Sequence, residues 1–281
     1  MSEVITSIDQ MKEFSKKAIL SQKSIGFVPT MGYLHDGHLS LIKRARNEND
    51  VIIVSIFVNP LQFAPSEDFN TYPRNFEKDR LLCEQNGVDV IFYPGYEDMY
   101  PQNYQTFTEV SYLNKPLEGT SRPTHFKGVT TVVLKLFNIV KPTKAYFGKK
   151  DAQQLIIIKK MVEDLNLDVE IVPCEIKRDI DGLALSSRNV YLNPKERAQA
   201  VCLKKALDKA KVLIDEKVFD SKTIIQSMKE VINSYDLARI DYISINSIDC
   251  LSELDEVVLG KTLISLAVFF GKTRLIDNMW I

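Results

Sequence analysis

Four cysteines in 281 residues, at positions 83, 174, 202 and 250, include no C-x-x-C pair. That spacing removes zinc ribbons and redox dithiols from consideration and points to reduced thiols rather than disulfides. Long hydrophobic runs are missing too. The longest, 51–58 and 263–270, have the length of a strand and fall well short of a membrane span. Residues 1–20 carry lysines and acids where a secretory signal needs an apolar stretch, so the expected compartment is the cytoplasm. Neither charge sign dominates: 36 Lys+Arg face 37 Asp+Glu, which marks neither nucleic acid nor a membrane surface as partner. There is no internal repeat, no low-complexity tract, and no H-E-x-x-H, G-x-S-x-G or G-x-G-x-x-G motif. Two G-K-T tripeptides, at 260–262 and 271–273, lack the glycine that a P-loop needs five residues before its Gly-Lys pair. Asp255 and Leu266 stand in those places.

What is present reads as two domains, the better prior for this length. Across the first 175 residues strand-like and helix-like segments alternate. Strands are expected at 23–29, 51–58, 88–93, 144–147 and 168–173, and helices at 38–47, 76–86, 129–140 and from Asp151 to about 165. The continuous β-branched run at 51–58 is that of a strand covered on both faces. This rhythm predicts an α/β fold, a doubly wound, Rossmann-like parallel sheet over residues 1–176. From 177 to 281 a long helix at 194–217, a second at 221–234 and strands at 239–244 and 263–270 predict a smaller α+β domain, joined through 179–188 and able to act as a lid.

The chemistry concentrates where strands hand over to helices. The first such point reads Pro29-Thr30-Met31-Gly32-Tyr33-Leu34-His35-Asp36-Gly37-His38, at the ligand edge of an open parallel sheet. Two of the chain's three histidines lie there, three residues apart on one face of a helix start, where imidazoles can donate to phosphate oxygens. A helix cap is the competing role for one of them. The second point reads Gly148-Lys149-Lys150-Asp151, followed by Gln153 and Gln154. Here Asp151 suits an N-cap, Lys150 a phosphate charge and Gln154 a substrate carboxylate or hydroxyl. The third, Leu185-Ser186-Ser187-Arg188, offers small residues, hydroxyls and a guanidinium for a closing loop over a triphosphate.

Taken in order, P-T-M-G-Y-L-H-D-G-H (29–38), S-I-F-V-N-P-L-Q-F (55–63), Y-P-R (72–74), L-E-G (117–119), R-P-T-H-F-K-G-V (122–129), F-G-K-K-D-A-Q-Q-L (147–155), D-G-L-A-L-S-S-R-N (181–189) and T-R-L-I-D-N (273–278) span nearly the whole chain. Together they resemble the pantoate–β-alanine ligases, members of the H-x-G-H nucleotidyltransferase group. The resemblance implies an ATP- and Mg²⁺-dependent condensation of pantoate with β-alanine through a pantoyl adenylate, with AMP and pyrophosphate released. It implies that Met31, Gly32, Tyr33, Leu34, His35, Asp36, Gly37 and His38 hold ATP, joined by Gly148, Lys149, Lys150, Asp151, Lys177, Leu185, Ser186, Ser187 and Arg188. His38, His35, Lys150 and Arg188 would be catalytic. Gln62 and Gln154 would bind pantoate, with Gln62 also near β-alanine. Asp79 is a weak magnesium candidate, and the metal ligands stay open. Leu61 and Leu185 stand where methionine is common, and Lys149 where glutamate is common, adding charge near the phosphates. A homodimer is the family expectation. A non-catalytic nucleotide-binding module and a simple nucleotidyltransferase are the alternatives; the paired glutamines and the apolar Phe57-Val58-Asn59-Pro60 segment favour a small branched acid over a phosphate ester.

Overall fold

The computed structural model describes residues 2–65 and 67–281. The described residues pack as two compact units, one of those up to 149 together with 153–175, the other of 150–152 and 176–281.

The first unit holds strands β1 (Glu3–Ile5), β2 (Ile25–Thr30), β3 (Val51–Ile56), β4 (Val90–Phe92), β5 (Lys144–Gly148) and β6 (Glu170–Cys174). Between them run helices α1 (Ile8–Leu20), α2 (Asp36–Glu48), α3 (Phe76–Gln85), the short α4 (Tyr96–Met99) and α5 (Glu118–Ser121), α6 (His125–Val140) and α7 (Ala152–Asp164). All six strands pair in parallel, in the order β1-β4-β3-β2-β5-β6. Helices cover both faces, so the central strands carry no alternation. Every residue of β3, Val-Ile-Ile-Val-Ser-Ile, is buried. The chain leaves β2 towards β3 on one side and returns to β5 on the other. The carboxyl ends of β2 and β5 therefore flank the switch point, where an open α/β sheet has its crevice.

The second unit packs α8 (Pro194–Gln199), α9 (Cys202–Asp215) and α10 (Ser221–Asn233) with an antiparallel sheet of β7 (Ala238–Ser247), β8 (Thr262–Phe270) and β9 (Thr273–Trp280). Its core joins Leu203, Leu207, Ile224 and Met228 from the helices to Ile264, Leu266 and Val268 from β8.

The expected fold class stands: a Rossmann-like parallel sheet with a smaller α+β unit. Three details differ. β1 and α1 precede the strand expected first. The helix expected over 194–217 is interrupted at Ala200 and Val201, whose backbones stay right-handed with φ of −60° and −62°. The C-terminal sheet has a third strand, β9, which contains the T-R-L-I-D-N motif.

Candidate active site

After β2 the chain turns through two left-handed residues, Gly32 (φ +81°) and Tyr33 (φ +52°), before entering α2. Glycine takes that conformation without strain, but a tyrosine needs restraint from its surroundings. The restraint is Asp79 of α3, 1% exposed. Its two carboxylate oxygens accept the backbone N–H groups of Tyr33 and Leu34, each at 2.7 Å. Thr30 completes the turn, its hydroxyl donating to the Ser55 carbonyl (2.8 Å) and accepting from Gly32 N–H (3.1 Å). Burial pushes the Asp79 carboxyl above its ordinary range although both N–H bonds favour the anion. Asp79 thus clamps the loop that follows β2.

His35 and His38 open α2 together. His35 is the N-cap and accepts Gly37 N–H on Nδ1 at 3.1 Å; His38 Nδ1 accepts His35 N–H at 3.3 Å. An imidazole nitrogen that accepts carries no proton, so each neutral ring bears its proton on Nε2. The ring centroids are 4.1 Å apart. Capping and donation are therefore not competing roles, because the cap uses one nitrogen and orients the other.

Gln62 ends a short turn, Pro60–Gln62, and is fixed from several directions. Its Nε2 donates to Met31 Sδ (3.2 Å), and its Oε1 accepts from Asn59 Nδ2 (3.1 Å). Asn59 Nδ2 also reaches the Gly128 carbonyl (3.1 Å), while Tyr100 OH donates to Asn59 Oδ1 (2.8 Å). His125 Nδ1 lies 2.9 Å from the Gln62 carbonyl and its Nε2 lies 3.3 Å from Arg122 NH1. A guanidinium only donates, so Nε2 accepts and Nδ1–H donates to Gln62. Arg122 in turn pairs with both oxygens of Glu67. Burial, with the Arg122 charge next to it, lowers the His125 pKa from 6.5 to about 4. The folded ring stays neutral while the unfolded one takes a proton below pH 6.5, so stability falls as pH drops from about 6.5 towards 4. The difference is worth up to about 3 kcal/mol. Thermal unfolding of His125→Gln across this window is expected to show a flatter pH dependence than that of the parent chain. Sequence reasoning does not reach Asn59, Tyr100, Arg122 or His125 as site residues; the third histidine of a three-histidine chain is the available signal.

After β5, Gly148 and Lys149 lie in the first unit and Lys150 and Asp151 in the second. The Lys149 ammonium pairs with Glu175, so the extra charge expected near phosphates is offset at its source. Gln153 is buried and locks the 113–118 segment, donating to the Leu113 and Pro116 carbonyls at 2.8 Å each and accepting Glu118 N–H at 3.0 Å. Gln154, the next residue of α7, is half-buried.

In the second unit residues 177–185 form a hairpin in which Leu185 N–H donates to the Lys177 carbonyl (3.0 Å) and Asp179 N–H to the Leu183 carbonyl (2.8 Å). The expected residues Lys177 and Leu185 are thus cross-strand neighbours. Ser186 then caps the turn Ser187–Tyr191, its hydroxyl accepting Arg188 N–H at 3.3 Å. Among the described residues no group of three or more His, Cys, Asp or Glu side chains is arranged to hold a metal ion. No helix among them is long and apolar enough to cross a membrane.

A doubly wound parallel sheet, with an H-x-G-H helix entrance at its switch point and a small antiparallel C-terminal unit, defines a Rossmann-like α/β protein of the H-x-G-H kind. The sequence profile of the pantoate-beta-alanine ligase family matches residues 3–280. The pantothenate synthetase of Caldicellulosiruptor bescii is 55% identical over 276 residues, which cover 98% of both chains. That of Thermotoga neapolitana is 52% identical over 275 residues, again 98% of each. The crystal structure of pantothenate synthetase from Thermus thermophilus superposes with a TM-score of 0.93 at 42% identity, covering 99% of this chain and 98% of that one. A pantoate-beta-alanine ligase from Francisella tularensis, solved with beta-gamma ATP and beta-alanine, gives 0.84 at 38% identity over 100% and 98%. The chain belongs to the pantoate-beta-alanine ligase family, and it is an enzyme.

Proposed function

We propose that the chain condenses pantoate with β-alanine to pantothenate, using ATP and passing through an enclosed pantoyl adenylate. A pantoate carboxylate oxygen attacks the α-phosphorus, the bond to the bridging oxygen breaks, and pyrophosphate leaves. The β-alanine amine then attacks the acyl carbon, loses a proton, and displaces AMP. No side chain is covalently modified, so catalysis rests on positioning and on charge stabilisation.

The observation that carries this reading is the fixed tautomer of the histidine pair. Both Nδ1 atoms accept backbone N–H groups, so each neutral ring of His35 and His38 carries its proton on Nε2, at the positive end of α2. Such donors suit an α-phosphate gathering charge as pyrophosphate departs. In this reading residues 31–38, Gly148 to Asp151, Lys177 and Leu185 to Arg188 bind ATP, with Lys150 and Arg188 on its phosphates. Gln62 and Gln154 bind pantoate, and Gln62 extends to β-alanine. Asp79 is occupied by the loop, so magnesium enters as part of the MgATP substrate, held by phosphate oxygens and water. The reading also carries a cytoplasmic homodimer, and light scattering on the purified chain tests the dimer.

Incubation with ATP, pantoate and β-alanine is expected to yield pantothenate, AMP and pyrophosphate in equal amounts. Formation of ADP and phosphate in their place would point to an acyl phosphate and against the adenylate.

A further inference from the structure

The T-R-L-I-D-N segment at 273–278 belongs to β9, an edge strand of the C-terminal sheet, and no role in the reaction yet attaches to it. Its last two residues break the pattern of a half-buried strand. Asp277 and Asn278 are consecutive, so their side chains point to opposite faces. Both are polar, and both are buried, at 2% and 3% exposure.

Each holds a different segment of the same unit. The Asp277 carboxylate grips the Arg178 guanidinium with both oxygens, NH1 to Oδ2 at 2.6 Å and NH2 to Oδ1 at 2.9 Å. Arg178 NH1 also donates to the Gly182 carbonyl (3.0 Å), and Arg178 bridges Ala184 across the hairpin. The hairpin that carries Lys177 and Leu185 and leads to Ser186, Ser187 and Arg188 is thus anchored to β9 through one buried carboxylate. On the other face Asn278 Nδ2 donates to the Lys150 carbonyl at 2.7 Å. This contact ties residues 150–152 to the C-terminal unit although the chain on either side of them belongs to the first.

We propose that Asp277 and Asn278 are positioning residues for the nucleotide, setting from one strand the backbone of Lys150 and the hairpin that ends in Arg188. The proposal rests on the reading of Lys150 and residues 185–188 as contacts to ATP. Asn278 acts on the main chain of Lys150, so the Lys150 ammonium can be removed independently, and a double-mutant cycle separates aiming from mere support.

The test measures KM and kcat for MgATP, pantoate and β-alanine in the parent chain, Asn278→Ala, Lys150→Ala and the double variant, with thermal unfolding of each. Asn278→Ala is expected to raise KM for ATP or lower kcat by about threefold to tenfold, as for one lost neutral hydrogen bond, with KM for pantoate unchanged. In the Lys150→Ala background the same substitution is expected to change ATP kinetics by less than about twofold. Asp277→Asn, which keeps the side-chain shape and loses the ion pair, is expected to raise KM for ATP as well. If Lys150→Ala impairs ATP use but Asn278→Ala does not, the proposal fails and the reading of Lys150 stands. If Asn278→Ala costs as much in the Lys150→Ala background as alone, Asn278 only supports the fold and the proposal fails. If Lys150→Ala leaves ATP kinetics intact, the reading of Lys150 fails, and the proposal with it.

Discussion

His38→Ala is expected to lower turnover by about two to three orders of magnitude, the usual loss for one preorganised donor at a centre of developing charge. The effect originates at the helix entrance. His38 Nδ1 accepts His35 N–H, which keeps the proton on Nε2 and holds the ring in place before substrate arrives. Alanine removes both the donor and the cap contact, and a lost cap costs about 1 kcal/mol of stability. His38→Asn separates the two effects. Its amide oxygen can still accept a backbone N–H near the N-terminus, as asparagine does at helix starts, but it offers no donor at the reach of Nε2. Asparagine should restore thermal stability to near the parent value while kcat stays low. Single-turnover formation of AMP is the readout, and parent-level rates in folded His38→Ala would remove His38 from the chemistry.

Gly128→Ala is expected to be strongly damaging to the first unit. Gly128 sits in α6 against the turn that carries Gln62, and an added Cβ would lie 2.2 Å from the Leu61 carbonyl oxygen and 2.5 Å from Gln62 N. Those atoms are backbone, so no side chain can swing away, and either α6 or the turn must move. Overpacking of this kind typically costs about 1–3 kcal/mol, and contact with backbone puts this site at the upper end of that range. The movement also opens the bond from Asn59 Nδ2 to the Gly128 carbonyl and shifts the His125 contact with the Gln62 carbonyl. Urea unfolding should show the stability loss, and where enough protein remains folded, KM for pantoate should rise more than KM for ATP. Unchanged stability and unchanged pantoate kinetics would mean that the close approach is not required.

The parallel sheet is legible in the sequence because its strands are buried on both faces and read as uninterrupted β-branched runs, of which β3 is the clearest. α1 is not legible. The residues it buries are Met11, Ser15 and Ala18, and a serine and an alanine make a faint apolar stripe. β9 hides for a different reason: Asp277 and Asn278 fill positions where a strand would show an alternating apolar residue. Local rules fail most often where a site has claimed the residues. The break at Ala200 and Val201 has no glycine or proline to announce it. In the site, the histidine pair stands out by rarity and by its place after β2. The shell around Gln62 does not, because Asn59, Gly128 and His125 are brought together over separations of up to 69 residues. Asp79 enters from the sequence only as a magnesium candidate implied by the resemblance, and its pairing with the Tyr33 and Leu34 amides depends on how α3 packs against the loop after β2.

The adenylate can be tested without the second half-reaction, by isotope exchange between pyrophosphate and ATP. A chain that joins pantoate to AMP and retains the product should catalyse this exchange when pantoate is present and β-alanine is left out, and His38→Ala should suppress it in proportion to its loss of turnover. Exchange that runs equally well without pantoate, or that appears only when β-alanine is added, would contradict an enclosed pantoyl adenylate.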